Sequence, residues 1–162
     1  MRERVYIETT VVSYLTANRA TVVTQMARQA ATKQWWRVCR PACDLFVSEV
    51  VALEAQEGDA DAVRRRMEIV KTIPHLPTTE EAGVLSKTLV RAHALPSSAE
   101  DDALHIAIAS VQGMDILLTW NCRHIANVVE MPRIRATIEQ AGYDAPTIAT
   151  PADLLEAMGE TL

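Results

Sequence analysis

Short apolar runs alternate with longer stretches of helix-forming residues along this chain. Residues 4–7 read as a short buried strand, followed by a turn and a first helix over 10–17. From Thr21 to Arg40 no Gly or Pro interrupts a run of good helix formers, and Pro41 closes it, which predicts one long helix. "DLFVS" at 44–48 is the next strand candidate. After it, Val50, Val51, Leu53 and Ala55 suit a helix that ends at Gly58, and a further helix restarts with Asp59 or Asp61 at its amino end. "IPHLP" is broken by Pro74 and Pro77 into an extended connection that can pair briefly with a sheet.

The second half repeats the design. Thr78 and Glu81 are spaced like a capping box at the start of a helix, and "PSSAEDDALHIAIASVQG" predicts a turn, an acidic first turn and an apolar helix stopping at Gly113. "DILLT" has the unbroken apolar character of a strand buried on both faces, "PTIAT" at 146–150 is a last strand candidate, and "PADLLEAMG" is a terminal helix. Strands alternate with helices throughout, so the expected architecture is an α/β fold, a three-layer α/β/α sandwich around a mainly parallel sheet.

Length and composition bound this picture. With 162 residues, 49% of them hydrophobic and 4% aromatic, one domain with a proper core is expected. No window approaches the roughly 18 uninterrupted apolar residues of a membrane span, and the opening "MRERVYIETT" lacks a signal-peptide pattern, so a cytoplasmic location is expected. Cys39, Cys43 and Cys122 are an odd number without a CxxC pair or histidine cluster, which favours reduced thiols over a disulfide framework or a zinc site.

A net charge of −5 argues against a protein that grips nucleic acid over its whole surface. Local patches remain, in Arg64, Arg65 and Arg66, in Arg28, Lys33, Arg37 and Arg40, and in Arg123, Arg133 and Arg135. The ordinary reading of the first two groups is solvated helix surface.

In open α/β sheets functional groups gather beyond the carboxyl ends of the strands. Four positions fall there: Glu8 ends the first strand, Glu54 lies on the helix after the second, Asp102 opens the "DDALHIAIAS" helix and Asn121 follows "ILLTW". Each has an ordinary explanation as a cap, an exposed helix residue, a first-turn acid or an Asx turn. Together, three carboxylates and an amide oxygen are the hard donors that Mg²⁺ or Mn²⁺ selects. No P-loop GxxxxGK[ST] and no DxDx[TV] motif competes.

"VYIETTVVSYL", "VSEVVALE", "EDDALHIAIA" and "LLTWNCRHIAN" occur in the order and at about the spacing of the motifs of the PIN domain, the nuclease fold of VapC-type toxins. The chain resembles that family from residue 4 to about 127. The resemblance implies a single PIN-like nuclease domain over 1–162 and a Mg²⁺- or Mn²⁺-dependent endoribonuclease, the toxin of a type II toxin–antitoxin pair. RNA is then the substrate, a cognate antitoxin the partner, and a homodimer the default assembly. The family's site residues fall on Glu8, Glu54, Asp102 and Asn121, with Glu8, Glu54 and Asp102 as metal ligands and Thr9 or Thr10 and Thr119 as hydroxyl neighbours. Two departures stand out: the first acid is more often Asp, and the amide at Asn121 removes a negative charge. The alternative is a PIN-like module that binds RNA or protein without cutting. His105 and His124 are expected to be packing or helix-terminal residues, and Trp120 either stacks on an unpaired base or forms an apolar lid.

Overall fold

The apolar runs assemble into a five-stranded sheet in which every pairing is parallel. The structure is a computed structural model, and it describes residues 1–159. The strands are β1 (Glu3–Ile7), β2 (Cys43–Ser48), β3 (His75–Leu76), β4 (Ile116–Leu118) and β5 (Thr147–Ala149), in the spatial order β3-β2-β1-β4-β5. The chain builds outward from β1 to β2 and β3, then returns across the sheet to place β4 on the other side of β1. The strand order therefore reverses between β1 and β4, and the crevice beyond their carboxyl ends is where such sheets hold ligands. Ile7 pairs with Leu118, and Glu8 N donates to Leu118 O at 3.0 Å, so Glu8 and Thr119 leave the sheet side by side.

The helices are α1 (Thr9–Thr16), α2 (Val23–Val38), α3 (Glu49–Glu54), α4 (Ala60–Val70), α5 (Glu80–Arg91), α6 (Glu100–Val111), α7 (Met131–Gln140) and α8 (Pro151–Ala157). One group packs α1 against α2 and α4, and α2 against α8, while a second packs α5 against α6 and α7. These are the outer layers of an α/β/α sandwich, as the alternation of strands and helices predicts. Helix α6 is apolar nearly all round and has Ala103 and His105–Ser110 buried, as expected of a helix covered on both sides. No helix among the described residues is long and apolar enough to cross a membrane.

Several details differ from the sequence reading. Thr79, not Thr78, caps α5, its side chain accepting from Ala82 N at 3.2 Å. Helix α3 stops at Glu54, four residues before Gly58, whose φ of +94° serves the turn into α4. Helix α7 was not expected. Its buried positions, Ile134, Thr137 and Ile138, are few and lie among arginines, and Pro132 near its start obscures the period.

The arginine triplet on α4 is structural. Arg65 Nε donates to Thr16 O at the end of α1 and Arg66 Nε to Ala55 O just past α3, so two cations meet the negative ends of two helices. Arg66 also reaches Glu57 O, Arg65 pairs with Asp61, and Arg64 pairs with Asp61 at 2.6 Å and Glu68 at 3.2 Å. These contacts occupy the guanidinium groups and leave no free positive rim on α4.

Candidate metal centre

Glu8 is the N-cap of α1 and is 3% exposed. A carboxylate taken this far out of water needs several hydrogen bonds, and the surrounding sequence supplies them. Oε1 accepts from Thr10 N at 3.2 Å, and Oε2 accepts from Thr10 Oγ1 at 2.5 Å and from Thr119 Oγ1 at 2.7 Å. Each hydroxyl is aimed by the loop after β4: Trp120 N donates to Thr10 Oγ1 and Asn121 N to Thr119 Oγ1, both at 2.9 Å. The two threonines thus pass the polarity of two backbone N–H groups to one carboxylate oxygen.

Glu54 reaches the same crevice from the last turn of α3. Its Oε1 accepts from Thr9 Oγ1 at 2.7 Å and from His105 Nε2 at 2.5 Å. Burial alone would push its pKa up, but the hydrogen bond and charge of His105 and the Thr9 hydroxyl outweigh it and leave the group more acidic than usual. His105 shows the reverse balance. Burial lowers its pKa, yet the bond to Glu54 and the fields of Glu8, Glu54 and Asp102 raise it overall.

Behind His105 a hydrogen-bonded chain runs into the core: Nδ1 lies 2.7 Å from Tyr6 Oη, which lies 2.7 Å from Ser48 Oγ. Burial holds the Tyr6 phenol far above its ordinary pKa, so it stays protonated and keeps a proton to give. Ser48 is itself the N-cap of α3, accepting from Val51 N, so the chain ties the orientation of the imidazole to the helix that carries Glu54.

One oxygen each from Glu8 and Glu54 and one nitrogen of His105 lie within 4.8 Å of one another, the spacing of donors that share one ion. Asp102 lies outside this set. It opens α6 one turn before His105, and its Oδ2 lies 2.8 Å from His124 Nδ1. Asn121 does not aim its amide oxygen into the crevice. Oδ1 accepts from His124 N, three residues on, at 3.1 Å, a cap-type bond that closes the turn and places the imidazole facing Asp102. Of the four residues read from sequence, the structure brings Glu8 and Glu54 together, leaves Asp102 outside their cluster and paired with His124, and uses Asn121 to close a turn. His105 is the member the sequence reading passed over as a packing residue.

Because Asp can close the same turn, Asn121→Asp should leave stability unchanged and shift Mn²⁺ affinity less than about twofold, whereas Asn121→Ala should cost about 1 kcal/mol for the lost cap. Calorimetric Mn²⁺ titration and urea denaturation check both. A marked tightening in Asn121→Asp would show that the side chain leaves its turn to reach the ion.

Trp120 is a lid. It is 8% exposed, with Tyr14 edge-on at 6.0 Å between centroids, Nε1 donating to Thr32 Oγ1 at 2.8 Å and the Arg28 guanidinium over its ring. A base cannot stack on a face already covered in this way.

No protein-family model matches the sequence, and no curated protein matches it either. Solved structures do resemble it. VapC20 of Mycobacterium tuberculosis, a toxin that cleaves the sarcin–ricin loop, matches with a TM-score of 0.59 at 15% identity, over 76% of this chain and 95% of its own. VapBC2 of Rickettsia felis, solved bound to a DNA fragment from its promoter, matches with a TM-score of 0.60 at 10% identity, over 91% of this chain and 98% of the matched chain. The fold is therefore the PIN-like α/β/α fold of VapC structures. Likeness at such identities speaks to fold, so function rests on the site.

Proposed function

We propose that this chain is a divalent-metal-dependent endoribonuclease of the VapC-like kind, acting as a single nuclease domain. The observation that carries the proposal is the convergence of Glu8, Glu54 and one nitrogen of His105 within 4.8 Å at the point where the strand order reverses. Hydrogen-bonded carboxylates at that place, Glu8 buried and Glu54 half-buried, suit a hard cation, and two acids without any thiolate favour Mg²⁺ or Mn²⁺ over softer ions. Glu8 and Glu54 would hold the ion, with His105 as third donor or as the clamp on Glu54. When bound, such an ion neutralises charge developing on the phosphate oxygens and makes water acidic enough to attack near neutral pH.

The protein's own groups fix geometry. Thr10 and Thr119 hold Glu8 in one rotamer, Thr9 and His105 hold Glu54, and His124 fixes the Asp102 side chain. Groups held in this way need little rearrangement when the ion and phosphate arrive. The family resemblance adds RNA as substrate, a cognate antitoxin as partner, a homodimer and a cytoplasmic location to the same proposal.

Purified protein incubated with RNA should cut it in Mg²⁺ or Mn²⁺ and leave it whole in EDTA, and Glu54→Gln should cut about 10²–10³-fold more slowly. RNA that is bound but left intact in both ions would replace this reading with that of a non-catalytic RNA-binding module.

A further inference from the structure

The negative net charge conceals one positive stretch. Between Glu8 and Asp44 there is no Asp or Glu, and the same residues include Arg19, Arg28, Lys33, Arg37 and Arg40. Of the other basic groups that the sequence offered as an RNA-facing rim, Arg64–Arg66, Arg133 and Arg135 are engaged with the fold. Arg64, Arg65 and Arg66 meet acids or helix ends, as described. Arg133 donates to His93 O at 3.0 Å and lies 3.6 Å from Glu130, and Arg135 lies 3.6 Å from Glu139.

Arg28 is held differently. It shares the inward stripe of α2 with Thr32 and Trp35, both buried, and its guanidinium carbon sits 5.3 Å from the centroid of the Trp120 ring, with Nη1 3.5 Å from Trp120 O. It forms no ion pair among the described residues. An aromatic face and a carbonyl orient a guanidinium without cancelling its charge, and a carboxylate would cancel it. The same Trp120 donates its backbone N–H to Thr10 Oγ1, which donates to Glu8 Oε2. Arg28 is therefore connected to the buried carboxylate through only two residues, Trp120 and Thr10.

We propose that Arg28 binds a phosphate of the RNA backbone at the lip of the carboxylate crevice, and that the substrate enters over α2. The inference rests on the ribonuclease reading for the identity of the polyanion. A crevice lined by Glu8 and Glu54 repels phosphate, and a fixed guanidinium beside it supplies the opposing charge and a planar fork of N–H donors that fits phosphate oxygens. It also gives α2, which carries no catalytic acid, a function: it delivers this cation to the site.

The test is binding of a mixed-sequence single-stranded RNA oligonucleotide in EDTA, measured against salt concentration. Arg28→Gln keeps the stem over the indole and removes the charge. It should weaken binding about tenfold and lower the slope of log affinity against log salt by about 0.7, the value for one lost phosphate contact on a single strand. Arg28→Lys should retain the slope. Thr32→Val breaks the hydrogen bond to Trp120 Nε1 but keeps Arg28, so its slope should also be that of wild type. An unchanged slope and affinity in Arg28→Gln, or the same slope loss in Thr32→Val, would overturn the proposal and make Arg28 a packing residue. Wild-type protein that binds RNA but leaves it uncut with Mg²⁺ or Mn²⁺ ends the nuclease reading alone, and the slopes still decide Arg28. Wild-type protein that binds no RNA overturns the role of Arg28 directly.

Discussion

Glu8→Gln should lose divalent-ion binding and RNA cleavage together. Oε2 of Glu8 receives two hydroxyl protons, from Thr10 and Thr119, and both hydroxyls already accept a backbone N–H. With its N–H₂ in that position, a glutamine would point donors at donors, and rotating it would place the mismatch at Thr10 N instead. The variant loses a charged ligand and the rotamer that held it. Mn²⁺ affinity should fall at least about tenfold, cleavage should fall about 10²–10³-fold, and stability should fall by about 1–3 kcal/mol. Calorimetric titration, single-turnover cleavage and urea denaturation read the three effects. Wild-type ion affinity in a folded Glu8→Gln would remove Glu8 from the metal centre.

His105→Ala should be the most destabilising change at the site. The imidazole is fully buried between Tyr6 and Glu54. Its removal opens a cavity in the core and takes one partner from the buried Tyr6 hydroxyl, which together cost about 3 kcal/mol. Glu54 loses its clamp, so cleavage should also fall about 10–100-fold, as when other groups that orient metal ligands are removed.

The pair also sets a pH dependence in metal-free protein. The raised pKa of His105 means its contribution is complete below the ordinary value of 6.5 and is lost as pH rises through the folded value. The lowered pKa of Glu54 means its contribution is complete above 4.5 and is lost as pH falls through the folded value. In EDTA, the stability gap between wild type and the conservative His105→Asn should be widest between about pH 4.5 and 6.5 and should narrow on either side. A gap that keeps widening toward pH 8 would show that the imidazole does not carry the charge of this pair.

Most of the fold was legible because β1, β2 and β4 carry short apolar runs and most helices have a start or stop residue. The strand order was not legible, since it depends on which runs meet across the sheet, and α7 was hidden by its arginines. The acids at the crevice stood out for their isolation at element ends. His105 did not, because the residues that give it a role, Glu54 and Tyr6, lie 51 and 99 positions away and an imidazole inside an apolar helix looks the same with or without them. Asn121 illustrates the converse: one short side chain suits a ligand and a turn-closing cap equally in sequence, and only the position of His124 N separates them. The tandem threonines at 78 and 79 left the cap ambiguous by one residue, the usual uncertainty of a helix end.

Anomalous diffraction from crystals soaked in Mn²⁺ tests the central claim most directly. A manganese peak within coordination distance of one oxygen each of Glu8 and Glu54, at the carboxyl ends of β1 and β4, is the predicted result. Manganese bound elsewhere, with both carboxylates still facing only Thr9, Thr10, Thr119 and His105, would contradict it and make the crevice a closed structural network.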